Sequence, residues 1–97
     1  VTTIRWTLRA RGDLAAIRAY LTETSPAFAA LVVARIITAT DRLIRFPESG
    51  RVVPELGVRE IREVIHRPYR IVYRLVDPGE VHILAVHHGA RDFEEPA

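Results

Sequence analysis

The chain contains no cysteine and no lysine. The first absence excludes a disulfide framework and a thiolate metal site. It fits a reducing cytoplasm, where the protein is expected to reside. The second absence means that all 14 basic residues are arginine. Two readings compete. A GC-rich genome favours arginine codons, and bidentate recognition of phosphate or carboxylate favours the planar guanidinium. Long apolar runs are also missing: none approaches the roughly 20 residues needed to span a bilayer. The opening residues Val1 to Trp6 lack the apolar core of a signal peptide. There are no internal repeats and no low-complexity segments. No metal is expected, because His66, His82, His87 and His88 lack a ligand spacing and fall on different strand faces.

What remains is an ordinary globular composition. The 97 residues are 48% hydrophobic and 27% charged, enough for one domain with a modest core. Net charge is only +2, so no strong nucleic-acid footprint is evident globally. Locally, residues 59 to 74 carry five arginines against two glutamates, a basic patch on one part of the molecule.

The clearest local signal is a hairpin. Pro68 to Val76 and Val81 to Arg91 flank a turn at Asp77-Pro78-Gly79-Glu80. Proline sets the first central φ and glycine supplies the positive φ of a type II turn. Counting outward pairs Val76 with Val81, Arg74 with Ile83, Val72 with Ala85 and Arg70 with His87. One face then carries Tyr69, Ile71, Tyr73, Leu75, Leu84 and Val86, with His82 and His88 at its ends. The other presents Arg70 and Arg74 beside His87.

Upstream, Thr2 to Trp6 reads as a short strand. Thr7 is a helix N-cap, and the helix is expected to run to about Thr24 with Leu14, Ile17, Tyr20 and Leu21 on its apolar face. Ser25-Pro26 restarts a helix, with serine as cap and proline in the first turn. This second helix is expected to reach Arg45. Its apolar stripe, Val32, Val33, Ile36, Ile37, Leu43 and Ile44, is wider than a small sheet can cover. Pro47 to Gly57 reads as loop. Val58 to Ile65 is expected to form a strand paired with 68–76. An acidic tail, residues 92–97, is expected to be partly disordered. The order β-α-α-β-β-β predicts an α+β domain: a helical hairpin packed on a small, mainly antiparallel sheet. Arg70, Arg74 and His87 would lie on the sheet face away from the helices.

The ordered set of motifs resembles the RelE/ParE superfamily, the toxins of type II toxin–antitoxin systems. The matching residues are Trp6 and Ala10, then Asp13-Leu14 with Ile17 and Tyr20. Ser25-Pro26, Phe46 to Arg51 and Arg59-Glu60-Ile61 follow. Tyr69 to Arg74 and Val81 to Arg91 complete the set across nearly the whole chain. The resemblance implies a growth-inhibiting toxin neutralised by a cognate antitoxin, with no cofactor and no membrane. It also implies one of two targets. ParE-like members poison DNA gyrase, and RelE-like members cut mRNA on the ribosome. As a nuclease, the chain would use Arg70 and Arg91 with His87 as acid. As a binding toxin, it would present Arg59, Arg62, Arg70, Arg74 and Arg91 to its target. The antitoxin is expected on Val33, Ile37 and Ile44. The chain departs from the RelE-like pattern in having no lysine, Ile61-Arg62-Glu63 before the hairpin, and Phe93 where a tyrosine belongs. A ParE-like gyrase inhibitor is therefore the expectation, with the endoribonuclease as the alternative.

Overall fold

The computed structural model describes residues 1–77 and 79–89; Pro78, Arg91, Phe93 and the acidic tail lie outside the described residues. Five strands and two helices follow in the order β1 (Thr3–Trp6), α1 (Leu8–Thr22), α2 (Pro26–Ala39), β2 (Arg51–Val52), β3 (Ile61–His66), β4 (Tyr69–Asp77) and β5 (Glu80–His88). A 3-10 turn, Asp41–Ile44, follows α2. The architecture is α+β. The sheet order is β1-β5-β4-β3-β2, with β1 parallel to β5 and the other neighbours antiparallel.

Both helix starts obey their caps. The Thr7 hydroxyl accepts from the Ala10 amide at 3.1 Å and donates to the Ile83 carbonyl at 2.9 Å, tying the entry of α1 to β5. Ser25 accepts from the Phe28 amide at 3.1 Å, and Pro26 sits in the first turn of α2. The helix ends earlier than its apolar stripe suggests. Thr40 turns its hydroxyl back onto the Ile37 carbonyl at 2.7 Å, and the chain tightens into the 3-10 turn. This bend drops Leu43 into full burial and leaves Ile44 exposed.

One core lies between the helices and the sheet, built on Ala10, Ile36, Leu43, Val64, Ile71, Tyr73, Val81, Ile83 and Val86. Leu14 and Ile17 pack against it, but Tyr20 does not join them and stays mostly exposed. A second cluster on the opposite face joins Val53, Ile61 and Val72 with Leu56 and Val58. The segment expected to be plain loop therefore forms β2 and then a cover over the far side of the sheet. Gly57, at φ 64, supplies the left-handed residue in this cover.

The hairpin register holds at its open end and slips near the turn. Arg70 faces His87 and Val72 faces Ala85, but Tyr73 faces Ile83, Arg74 faces His82 and Leu75 faces Val81. Leu84 is the extra residue on β5 and Val76 the extra residue on β4, so the two offsets cancel by Asp77 and Glu80. Gly79 takes the positive φ, 91°, that the turn requires. The slip has a physical result. Val81 and Ile83, both β-branched, enter the main core in place of Leu84, and His82 moves to the arginine face.

Candidate functional site

Glu63 organises the basic face of the sheet. Its carboxylate is fully buried on β3, a position that requires charge partners. Arg51 on β2 reaches it with Nε at 2.5 Å, and Arg70 on β4 reaches its other oxygen with Nε at 2.7 Å. Arg70 also forks onto Glu55, with Nη1 and Nη2 at 2.6 and 2.7 Å from its two carboxylate oxygens. The bidentate pair holds the Glu55 carboxyl well below its ordinary range, to about 2. The same contacts raise the Arg70 guanidinium further above its already high value. Only 11% of the Arg70 side chain meets solvent. The expectation that Arg70 projects from an uncovered face is thus corrected: residues 53–58 cover it, anchored by the second apolar cluster.

The neighbouring arginines divide between structure and surface. Arg62 is inward, donating through Nη1 to the carbonyls of Glu48 and Gly50, each at 3.1 Å, and through Nε to the Arg59 carbonyl. It stitches the 48–50 turn to β3. Arg59 is exposed and meets Glu48 at 3.3 Å. Arg74 is half-buried and makes no hydrogen bond or ion pair among the described residues. His87 lies across from Arg70 and is half-buried. Burial pushes its pKa down; nearby Arg9 adds to the effect and Asp13 opposes it. The imidazole is therefore held neutral near pH 7. Arg91, the remaining expected site residue, lies outside the described residues. Among the described residues, no group of three metal-ligating side chains converges.

The larger concave feature is on the other side. A cleft of about 730 Å³ runs between the helical hairpin and the β3–β4 turn. Ile17, Tyr20, Leu21, Phe28 and Val32 give it apolar walls, Arg35 and Arg67 give it positive charge, and His66 and His88 line it as well. Asp13 also lines it and caps the free edge of β5, accepting from the Val86 amide at 2.8 Å. The sequence pattern missed this cleft. Tyr20 falls on the apolar stripe and reads as core, and the β3–β4 turn gives no sign of lying opposite it. A smaller groove of about 310 Å³ lies beside β1, between Ile4, Trp6, Ile37 and Ile44. Ile37 and Ile44, two of the three expected antitoxin contacts, are exposed there; Val33 is half-buried and lines neither feature.

Comparison with known proteins agrees along nearly the whole chain. The family described as ParE toxin of type II toxin–antitoxin system, parDE, matches residues 4–93. Toxin RelE2 of Caulobacter vibrioides is 44% identical over 87 residues, covering 89% of this chain and 93% of the relative. Putative toxin Y4kP of Sinorhizobium fredii is 42% identical over 92 residues, covering 95% of this chain and 93% of the relative. Among solved structures, the chromosomal ParDE toxin–antitoxin system from P. aeruginosa superposes with a TM-score of 0.74. Identity is 26%, with 90% of this chain and 95% of that one covered. The toxin–antitoxin complex RelBE2 from Mycobacterium tuberculosis superposes with a TM-score of 0.55, at 27% identity over 90% of this chain and 96% of that one.

Proposed function

This chain belongs to the ParE toxin family of type II toxin–antitoxin systems, and we propose that it stops growth by binding DNA gyrase rather than by cutting ribosome-bound mRNA. The observation that carries the choice is the state of Arg70. A nuclease needs a guanidinium free to hold the scissile phosphate and a group able to move a proton near neutral pH. Arg70 is already committed to Glu55 and Glu63. His87 is held neutral by burial, which disfavours a general acid. The exposed Arg59 and the half-buried Arg74 suit contact with an acidic protein patch instead, and Arg91 is assigned with them.

The partner that restrains the toxin is a cognate antitoxin. Its seat is the helical hairpin, where Phe28 and Val32 line the cleft and Ile37 and Ile44 line the smaller groove, with Val33 between them on α2. Exposed apolar side chains of this kind mark a surface that another chain covers. The toxin–antitoxin complexes among the structural neighbours support an antitoxin as the partner.

One experiment separates the targets. The chain is induced alone, plasmid supercoiling is read on chloroquine gels, and ribosome-associated mRNA is mapped for new 5′ ends. Relaxed plasmid with intact message is the expected result. New cleavage sites with unchanged supercoiling would establish the endoribonuclease instead.

A further inference from the structure

The larger cleft changes character from floor to mouth. Tyr69 and Val86 are buried at its base, and Ile17, Leu21 and Val32 are half-buried along its sides. Arg35 and Arg67 line it from different elements, α2 and the β3–β4 turn, and both are exposed. Neither guanidinium makes a hydrogen bond or ion pair among the described residues. The lining is apolar at depth and cationic at the rim, within about 730 Å³, a size that suits a small molecule.

We propose that this cleft binds a single-chain fatty carboxylate, its alkyl chain against Tyr69 and Val86 and its head group held by Arg35 and Arg67. Depth selects the tail. A peptide laid into the floor brings its own amides against apolar walls, and each one left unpaired is costly; a hydrocarbon carries none. The Val86 amide at the base already donates to Asp13 at 2.8 Å. The rim selects the head. A guanidinium presents a planar fork that matches a carboxylate and repels a cation. Asp13, also in the lining, repels a carboxylate placed deep and so sets the direction of entry. A chain seated in the cleft also lies against Phe28 and Val32. On the reading of these two residues as antitoxin surface, the fatty acid competes with the antitoxin and favours the free toxin.

The test titrates the purified full chain, labelled with ¹⁵N, with octanoate, decanoate and decyltrimethylammonium, all as monomers. Decanoate should shift the Ile17, Leu21, Val32 and Val86 amides and bind about tenfold more tightly than the cation of equal chain length. Each methylene buried tightens binding about fourfold, so decanoate should bind at least about tenfold more tightly than octanoate. Arg35→Gln and Arg67→Gln should each weaken decanoate about fivefold, the size of an exposed ion pair, and leave the melting temperature unchanged. Equal affinity for anion and cation, no dependence on chain length, or shifts confined to the groove beside β1 would overturn the proposal. So would sedimentation with anionic vesicles without a response to monomeric decanoate, which would assign the arginine rim to a membrane surface. The antitoxin reading is tested apart. Decanoate that occupies the cleft yet leaves the affinity of the antitoxin complex unchanged would remove Phe28 and Val32 from the antitoxin's seat and leave the fatty-acid site standing.

Discussion

Replacing Arg70 by alanine tests whether this residue belongs to a target site or to the frame. In the structure it ties together three elements: Glu63 on β3, Glu55 in the covering segment, and β4 itself. Its removal leaves Glu63, at 0% side-chain exposure, with Arg51 as its remaining ion-pair partner. Removing one partner of a buried ion pair costs about 3–5 kcal/mol. Arg51 still compensates part of the charge, and the Glu55 half is 43% exposed and counts for little after solvent screening. The lower figure, about 3 kcal/mol, is the expectation. In a domain of this size that lowers Tm by roughly 12–24 °C. Urea denaturation at pH 7 reads the free energy directly. Acid provides a second signature. Glu55 has a folded-state pKa depressed to about 2, so its contribution is complete above the ordinary carboxylate range and disappears as pH falls towards 2. The gap between wild type and Arg70→Ala should therefore narrow on acidification. Arg59→Ala, with both partners exposed, is the control and should cost under about 0.5 kcal/mol. A stable Arg70→Ala variant that had lost toxicity would refute the reasoning and return Arg70 to the target surface.

Two further predictions concern the frame. The Tyr73 hydroxyl donates to the Pro47 carbonyl at 2.6 Å and accepts from the Gly50 amide at 3.0 Å, so Tyr73→Phe strands two backbone groups and should cost about 2–3 kcal/mol in urea denaturation. Gly50→Ala should be of similar size or worse, since a Cβ there would meet the Tyr73 hydroxyl at 2.6 Å and the Glu63 carbonyl at 2.7 Å. His87 predicts a pH effect. Its folded-state pKa lies below the ordinary value, so the neutral form is native and protonation favours unfolding. Stability should be full above about pH 6.5 and fall as pH drops through the folded value. His87→Gln should flatten that fall, and a pH series of melting curves would expose an unchanged slope.

Much of the fold was legible because its signals are local. Thr7 and Ser25-Pro26 announce both helix starts, Gly79 announces the turn, and the alternation from Tyr69 to Leu75 announces a half-buried strand. Each depends on residues within a few positions of one another. The misreadings share the opposite property. The Leu84 offset is invisible to a count outward from the turn, because an inserted residue preserves alternation on either side of itself while exchanging the faces. The cover over the far face comes from Val53, Leu56 and Val58, whose spacing matches neither a helix nor a strand. The end of α2 depends on a threonine hydroxyl that competes with the helix, a choice that apolar periodicity does not record.

The basic patch shows most clearly why a site is harder to read than a fold. Five arginines between residues 59 and 74 suggest a cationic surface, since the sequence between them holds only two glutamates. The carboxylates that answer them include Glu48 and Glu55, which lie before that window. Folding brings Glu55 onto Arg70 across 15 residues and Glu48 onto Arg59 across 11. Local charge counts measure which ions are near in sequence, whereas binding depends on which remain unanswered in space. Arg74, with the same composition around it as Arg70, has no side-chain hydrogen bond or ion pair among the described residues. The distinction between a strut and a contact residue is therefore set by the path of the 48–58 segment, and a homologue that rerouted that segment could free Arg70 for phosphate without changing a residue of the hairpin.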